Sequence, residues 1–474
     1  MSKLKRTLAL LATLAMASTA FVACGGGDTE SKEESKADNS AAESKDDAGA
    51  ESEDAGTESE DAGTEGADLK LADDGDCLTI VCWTDTDLNN MFDVYTEKNA
   101  DAVVGETIKY QNCGMNGGEA STQYATYLNS GDDVDLFVAE AGWILNYIND
   151  DSFAAPLSDL GITEADYADA YDYTVKIATD NNGVLKGASW QAAAGGFCYN
   201  TDIASEKLGI TTPEDMQAAI GSWDGFKATA EQLKTATDGA VTMCATLGGL
   251  WQCFSTATGA AWVDGTTLNT TAVKDFTAMA KEMVDAGYVN PAIDQWTADW
   301  TNVGLNGETL GYFYSTWCLG AGAQLEQNGG TAGNWNIVVG PQEYFWGGSW
   351  LCVSPNCDNA KMAADFIKTF TVDATTMEEY ALYSGDFVNN KTAMNNIVSA
   401  GTNSNALLGG QDQFAVLADV AAGIDMSATI SKYDQSLKDT YLPALRDNID
   451  KSVDEVVAAY TSDALAANPD LSAE

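Results

Sequence analysis

Histidine is absent from all 474 residues. That absence removes Ser-His-Asp triads, Cys-His nucleophile pairs and histidine-based zinc sites together. Arginine occurs only as Arg6 and Arg446, which disfavours peptides and amino acids, whose charged termini need ionic partners. There is no G-x-x-x-x-G-K-[ST] loop, so ATP is not hydrolysed by that route. No C-x-x-C pair occurs, which argues against a zinc cluster or a thioredoxin-type site. No complete D-x-[DN]-x-[DN]-G-x₅-E loop is present, and DTD (85–87) and DDGD (73–76) read as solvated turns before they read as cation sites. Positive charge is scarce too: 23 Lys and Arg stand against 72 Asp and Glu, a formal net charge of −49. Residues 28–74 account for −14 of this and the residues before Cys24 for +3, which leaves −38 on the remainder. So acidic a body argues against nucleic acid and anionic lipid as partners.

Ten cysteines are present, and the nine beyond Cys24 are an odd number, so complete internal pairing is impossible. Several lie in apolar runs such as CLTIVCW (77–83) and TWCLGA (316–321), where a thiol behaves as a small hydrophobe. Mostly buried free thiols are expected.

The first residues carry Lys3, Lys5 and Arg6, and 8–23 is apolar or small apart from Thr13, Ser18 and Thr19. A basic head, a short apolar stretch and small residues before the end are the layout of an export signal, 1–23. Cys24 follows, then three glycines. Residues 28–74 hold 18 Asp or Glu and 4 Lys, no aromatic residue, and ESEDAGT twice in succession. Such a stretch cannot bury enough surface to offset its ordering entropy, so 24–75 is expected to be a disordered linker.

From Asp76 about 400 residues remain, too many for one core and suited to two lobes. Leu78–Cys82 is a buried-strand pattern, followed by Leu88, Met91, Phe92 and Tyr95 at helical spacing. Further strands are predicted at 106–110, 134–138, 310–314, 335–339 and 350–353. Helices are predicted at 214–233, 271–286 and 359–371, with 413–467 nearly all helical. Strands alternating with helices imply an α/β architecture whose ligand crevice lies at the strand C-terminal ends.

Five stretches in order carry a resemblance: VDLFVAEAGWILNYINDDSFAAPLSDL, GASWQAAAGGFCYNTDIASEKLGI, TTPEDMQAAIGSWDGFKATAEQLK, LNGETLGYFYSTWCLGA and GGSWLCVSPNCDNAKMAADFIKTFT. With them the body resembles the extracellular solute-binding proteins (family 1 type) of carbohydrate ABC transporters. Phe21-Val22-Ala23-Cys24 resembles the lipobox of a bacterial lipoprotein. The resemblance implies a two-lobed, periplasmic-binding-protein-like (type II) α/β fold with a hinge of crossing strands. Lobes are expected at 76–193 plus 347–372 and at 194–346 plus 373–474, with crossings near 192–197, 344–350 and 370–376. It further implies a monomer on the extracellular face of a Gram-positive cell membrane, held by lipid on Cys24 alone. There it would pass a neutral sugar or oligosaccharide to a transmembrane permease, with no cofactor or metal and no catalysis.

Twelve tryptophans fit that reading. A sugar offers apolar C–H faces to indole rings, and a rim of hydroxyls that Asp, Glu, Asn and Gln satisfy; each hydroxyl left unpaired in a buried site would cost about 1–3 kcal/mol. Trp83 and Asp85 follow the first strand, and Glu140 and Trp143 follow the third. Trp190 and Gln191 lie where the chain is expected to cross between lobes, Trp317 follows a later strand, and Trp350 follows Gly347-Gly348-Ser349. Trp251, Trp296 and Asp386 complete the candidate ligand residues, while Trp223, Trp262 and Trp335 read as structural. Paired carboxylates also serve glycoside hydrolases, so a glycan hydrolase is the competing reading; a binding protein for a non-sugar solute such as a peptide is another.

Overall fold

A computed structural model describes residues 69–113, 117–130, 133–255, 261–425 and 430–473. The export signal, Cys24 and the acidic stretch to residue 68 lie outside the described residues. Residues 69–75, expected within the linker, are instead fastened to the body. Leu69 and Leu71 pack on the core, Lys70 pairs with Asp159 at 2.7 Å, and Asp73 pairs with Lys361 at 2.6 Å.

The strands run β1 (Leu78–Cys82), β2 (Ile108–Asn112), β3 (Leu136–Glu140), β4 (Gly187–Ser189), β5 (Ala194–Asn200), β6 (Thr242–Cys244), β7 (Val263–Asp264), β8 (Thr267–Leu268), β9 (Thr309–Ser315), β10 (Trp335–Val338), β11 (Tyr344–Phe345), β12 (Ser349–Val353) and β13 (Ser472–Ala473). One sheet has the order β2-β1-β3-β12-β4. Within it β1 lies parallel to β2 and β3, and β12 antiparallel to β3 and β4. All five residues of β1 are buried, the continuous apolar pattern of a central strand covered on both faces. The second sheet has the order β10-β5-β9-β6, with β11 also on β5. Its central strands β5 and β9 are buried throughout. A small third sheet joins β13, β8 and β7.

Three segments meet between the two larger sheets. The first is 190–193, between β4 and β5; the second is 346–348, between β11 and β12. Gly347 and Gly348 there have φ of 77° and 96°, a left-handed backbone that a side chain would strain. The third is 385–390, which pairs with the first: Ala192 N–H donates to Phe387 O at 3.0 Å, and Asn389 N–H to Trp190 O at 2.8 Å. Trp346 N–H donates to Ala193 O at 3.0 Å, so the crossings are hydrogen-bonded to one another. This is a two-lobed α/β fold with a hinge of crossing strands.

Helix Ala374–Ser384 stays on helix Thr86–Lys98 of the first sheet's side, through Lys98–Thr376 at 3.0 Å and Tyr383–Asp93 at 2.8 Å. The helix expected over 214–233 is two helices, Pro213–Ile220 and Trp223–Thr237. Ser222 splits them because its hydroxyl caps the second, accepting from Gly225 N–H at 3.1 Å. Thr86–Lys98, Thr271–Asp285 and Ala360–Thr371 form as the apolar spacing predicts, and the C-terminal part holds Gln413–Gly423, Asp434–Asp447 and Val453–Ala467. Among the described residues seven of the nine cysteines are buried, and no helix is long and apolar enough to cross a membrane.

Candidate functional site

A cleft opens at the C-terminal end of β3, between the residues that follow it and elements of the second sheet's side. About 770 Å³ of space open to solvent lies between its walls. Glu140, Ala141 and Gly142 form one wall; Trp251, Gln252, Trp262, Trp346 and Gly347 form the facing one; Asp434, Gln435 and Lys438 enter from the first turns of helix Asp434–Asp447.

Each wall is fixed by its own backbone. Glu140 ends β3 opposite Ser349, and its carboxylate accepts from Gly142 N–H at 2.8 Å. Gln435 N–H donates to Gly142 O at 3.1 Å, which holds the helix start against the β3 loop. Asp434 accepts from the Ser431 hydroxyl at 2.6 Å. Burial pushes both carboxyls up: Asp434 to about 7, with the Glu140 charge adding to the rise, and Glu140 in the same direction although Lys438 opposes it. Asp434 therefore exchanges a proton near neutral pH.

The facing wall is aromatic. Trp251 packs on Trp262 with ring centroids 4.9 Å apart, and on Tyr441 at 4.3 Å. Trp317 Nε1–H donates to Trp346 O at 3.1 Å, and the Trp317 ring meets the Trp346 ring edge-on at 5.0 Å. Trp296 lies nearly parallel to Trp317, 6.0 Å away at 15°.

At the hinge, Gln191 Nε2–H donates to Asp386 Oδ2 at 2.6 Å. The other oxygen of Asp386 is buried without a partner among the described residues. Burial raises the Asp386 carboxyl to about 6. Asp87, two residues past Asp85, is raised by burial, and then by the Asp386 charge, to about 7.

The candidate residues thus divide. Glu140 and Trp251 line the cleft, Trp296 and Trp317 stack against Trp346 at its edge, and Gln191 and Asp386 are bonded to each other. Trp143, Trp190 and Trp350 are interior instead, each at most 1% exposed. Trp143 sets its edge on Tyr124 at 5.2 Å, and Trp350 Nε1–H donates to Thr174 O at 3.0 Å. Trp83 is half-buried against the core, and Asp85 occupies the N-cap position of helix Thr86–Lys98 without a side-chain bond to it.

Trp262, read as structural, lines the cleft. Trp346, Gln252, Asp434, Gln435 and Lys438 were not foreseen. Trp346 stands directly before the glycine pair of a crossing, a signal that was available. The residues of helix Asp434–Asp447 stand beside no tryptophan and carried no signal.

Carboxylates Asp133, Asp135 and Asp358 bring oxygens within 4.8 Å of one another. Asp135 already accepts from Thr79, Asp358 and Asn359 N–H groups, so this cluster ties loops together. In the cleft, indole faces stand beside acid and amide groups with Lys438 as the one cation among the lining residues. Such a set covers apolar faces and pairs with hydrogen-bonding groups.

A family model described as bacterial extracellular solute-binding protein matches residues 90–398. No curated protein matches the chain. Among solved structures, an extracellular solute-binding protein family 1 structure aligns with a TM-score of 0.72 at 17% identity, covering 83% of this chain and 100% of that one. The ABC-transporter-associated binding protein of B. animalis subsp. lactis Bl-04, in complex with β-1,6-galactobiose, aligns with a TM-score of 0.65 at 19% identity, covering 86% and 100%. The galacto-N-biose-/lacto-N-biose I-binding protein of a Bifidobacterium longum ABC transporter, in complex with lacto-N-biose, aligns with a TM-score of 0.65 at 17% identity, covering 85% and 100%. At these identities the likeness is one of fold.

Proposed function

The chain belongs to the bacterial extracellular solute-binding proteins, which bind solutes for ABC transporters and do not transform them, and from that premise we propose that its solute is a neutral sugar, specifically an oligosaccharide. The observation that carries this reading is the gathering, in one cleft, of the Glu140 and Asp434 carboxyls with the Trp251, Trp262 and Trp346 indoles. Two structural neighbours hold disaccharides, which supports the same class.

The mechanism follows from the two walls. Glu140 and Asp434 accept hydrogen bonds from sugar hydroxyls, Gln435 and Gln252 complete the polar rim, and the indoles cover the C–H faces. Because the walls come from the two lobes, only the closed form offers every contact at once, so binding shifts the population toward closure. The closed form then docks on a membrane permease and releases the sugar to it. Lipid on Cys24 holds the receptor, a monomer, at the outer membrane face, each buried methylene contributing about 0.8 kcal/mol.

The test is a thermal unfolding screen with β-1,6-galactobiose, lacto-N-biose and longer neutral oligosaccharides, followed by chromatography of the sugar. A ligand bound only by the folded chain stabilises it by about 2.7 kcal/mol at a hundred times its Kd. A raised melting temperature with intact sugar is the expected result. No shift with any saccharide contradicts the ligand class, and a shortened saccharide contradicts the binding role.

A further inference from the structure

Trp296 is a bulky residue in a left-handed backbone conformation, with φ of 68°, and it is 58% exposed. Such a φ is rare outside glycine and asparagine, and persists where the surroundings impose it. Here they do so on both sides. Asp294, two residues before, is ion-paired with Arg446, the body's single arginine, at the far end of the helix whose first turns line the cleft. Thr297, one residue after, donates its hydroxyl to Asp294 O at 2.7 Å and caps helix Ala298–Leu305 by accepting from Trp300 N–H at 3.3 Å. Gln295 lies so close to Gly248 that a Cβ there would stand 2.7 Å from its Oε1.

The ring held in this way covers Trp317. Their centroids are 6.0 Å apart at 15°, and Trp296 also touches Trp300 at 5.0 Å and Trp346 at 6.1 Å. A sugar ring between two indoles needs roughly 7–8 Å, one van der Waals separation of 3.5–4.0 Å on each side. None fits between these two rings as they stand. Trp346 and Gly347, against which Trp317 rests, line the cleft.

We propose that Trp296 is a cover: it occupies the face of Trp317 on which a ligand ring stacks, and a sugar must displace it to bind there. The inference rests on the sugar reading and adds to it a competitor built into the receptor. An empty receptor keeps its aromatic wall covered, and the constrained loop returns the ring when the sugar leaves. A stacked aromatic pair is worth enough that removing the cover raises apparent affinity between about 2-fold and 12-fold.

The experiment compares the wild-type chain with Trp296→Gly and Trp296→Ala. Calorimetry with β-1,6-galactobiose and lacto-N-biose gives affinities, and near-ultraviolet circular dichroism reads the stacked indole pair. Trp296 is exposed, so both variants fold, and their melting curves check this. The expected result is tighter binding by both variants. The wild-type spectral signal that Trp296→Gly lacks is expected to vanish at saturating sugar. Equal or weaker binding by the variants, or a signal unchanged at saturation, overturns the cover alone. No binding by wild type or variants overturns the sugar reading and the cover with it.

Discussion

Gln191 Nε2–H and Asp386 Oδ2 are 2.6 Å apart, and that bond joins the first crossing segment to the third. Both residues are buried, at 3% and 5% exposure, so the contact is shielded from solvent. Gln191→Leu leaves the Asp386 carboxylate without its side-chain amide donor. The expected loss of stability is about 1–3 kcal/mol at pH 7.5, and smaller at pH 5, where Asp386 is protonated and makes less demand for a donor. Urea unfolding at the two pH values checks this.

The acids of the hinge and cleft set the pH profile. Burial raises Asp386 to about 6 and Asp87 and Asp434 to about 7, from 3.8. Between those values the folded chain holds protons that the unfolded chain has released, so stability rises as pH falls from 8 toward about 5. Below about 4 the sign reverses. Asp180 is lowered, because hydrogen bonds from Val184 and Asn182 N–H and from Lys186 outweigh its burial, and that stability is lost as pH falls through its folded value. Melting temperature measured from pH 3 to 8 should rise as pH falls from 8 and peak near 4. Asp386→Asn should flatten the limb above the peak; a steady fall from 8 to 5 would contradict the assignment.

Lys186 is 1% exposed and sits 3.3 Å from the buried Asp180, while its ammonium also donates to Ile148 O at 2.9 Å. Removing one member of a buried pair strands the other. Lys186→Ala is expected to cost about 3–5 kcal/mol in urea unfolding. Lys70→Ala, which breaks an exposed pair with Asp159, is expected to cost under about 1 kcal/mol.

Trp350 has no exposed surface and its indole N–H is bonded to Thr174 O. Trp350→Ala should therefore destabilise the chain by about 3–5 kcal/mol. Trp350→Phe fills most of the space, and sugar affinity per folded molecule should be unchanged. A large loss of affinity in the phenylalanine variant would return Trp350 to the ligand site.

Strands were legible because apolar runs such as LTIVC need no partner to be recognised. The split at Ser222 was not, since a helical apolar pattern continues across it. Depth was the harder quantity. Tryptophan packs equally well in an interior or along a cleft, and nothing local to Trp143, Trp190 or Trp350 separates them from Trp251 or Trp317. The place of Glu140 at the cleft was legible because it ends a strand at the crevice edge. Asp434, its counterpart, was not, because it enters from a helix nearly 300 residues away in sequence and only the tertiary fold brings it there.

The central claim is tested most directly by calorimetric titration of β-1,6-galactobiose, lacto-N-biose and longer neutral oligosaccharides into wild type, Glu140→Gln and Asp434→Asn. At least one saccharide should bind wild type, and each variant should bind it about tenfold more weakly or worse while melting no lower than wild type at pH 7.5, since each substitution removes a raised carboxyl. Equal affinity in all three chains, or no heat from any saccharide, would contradict the account.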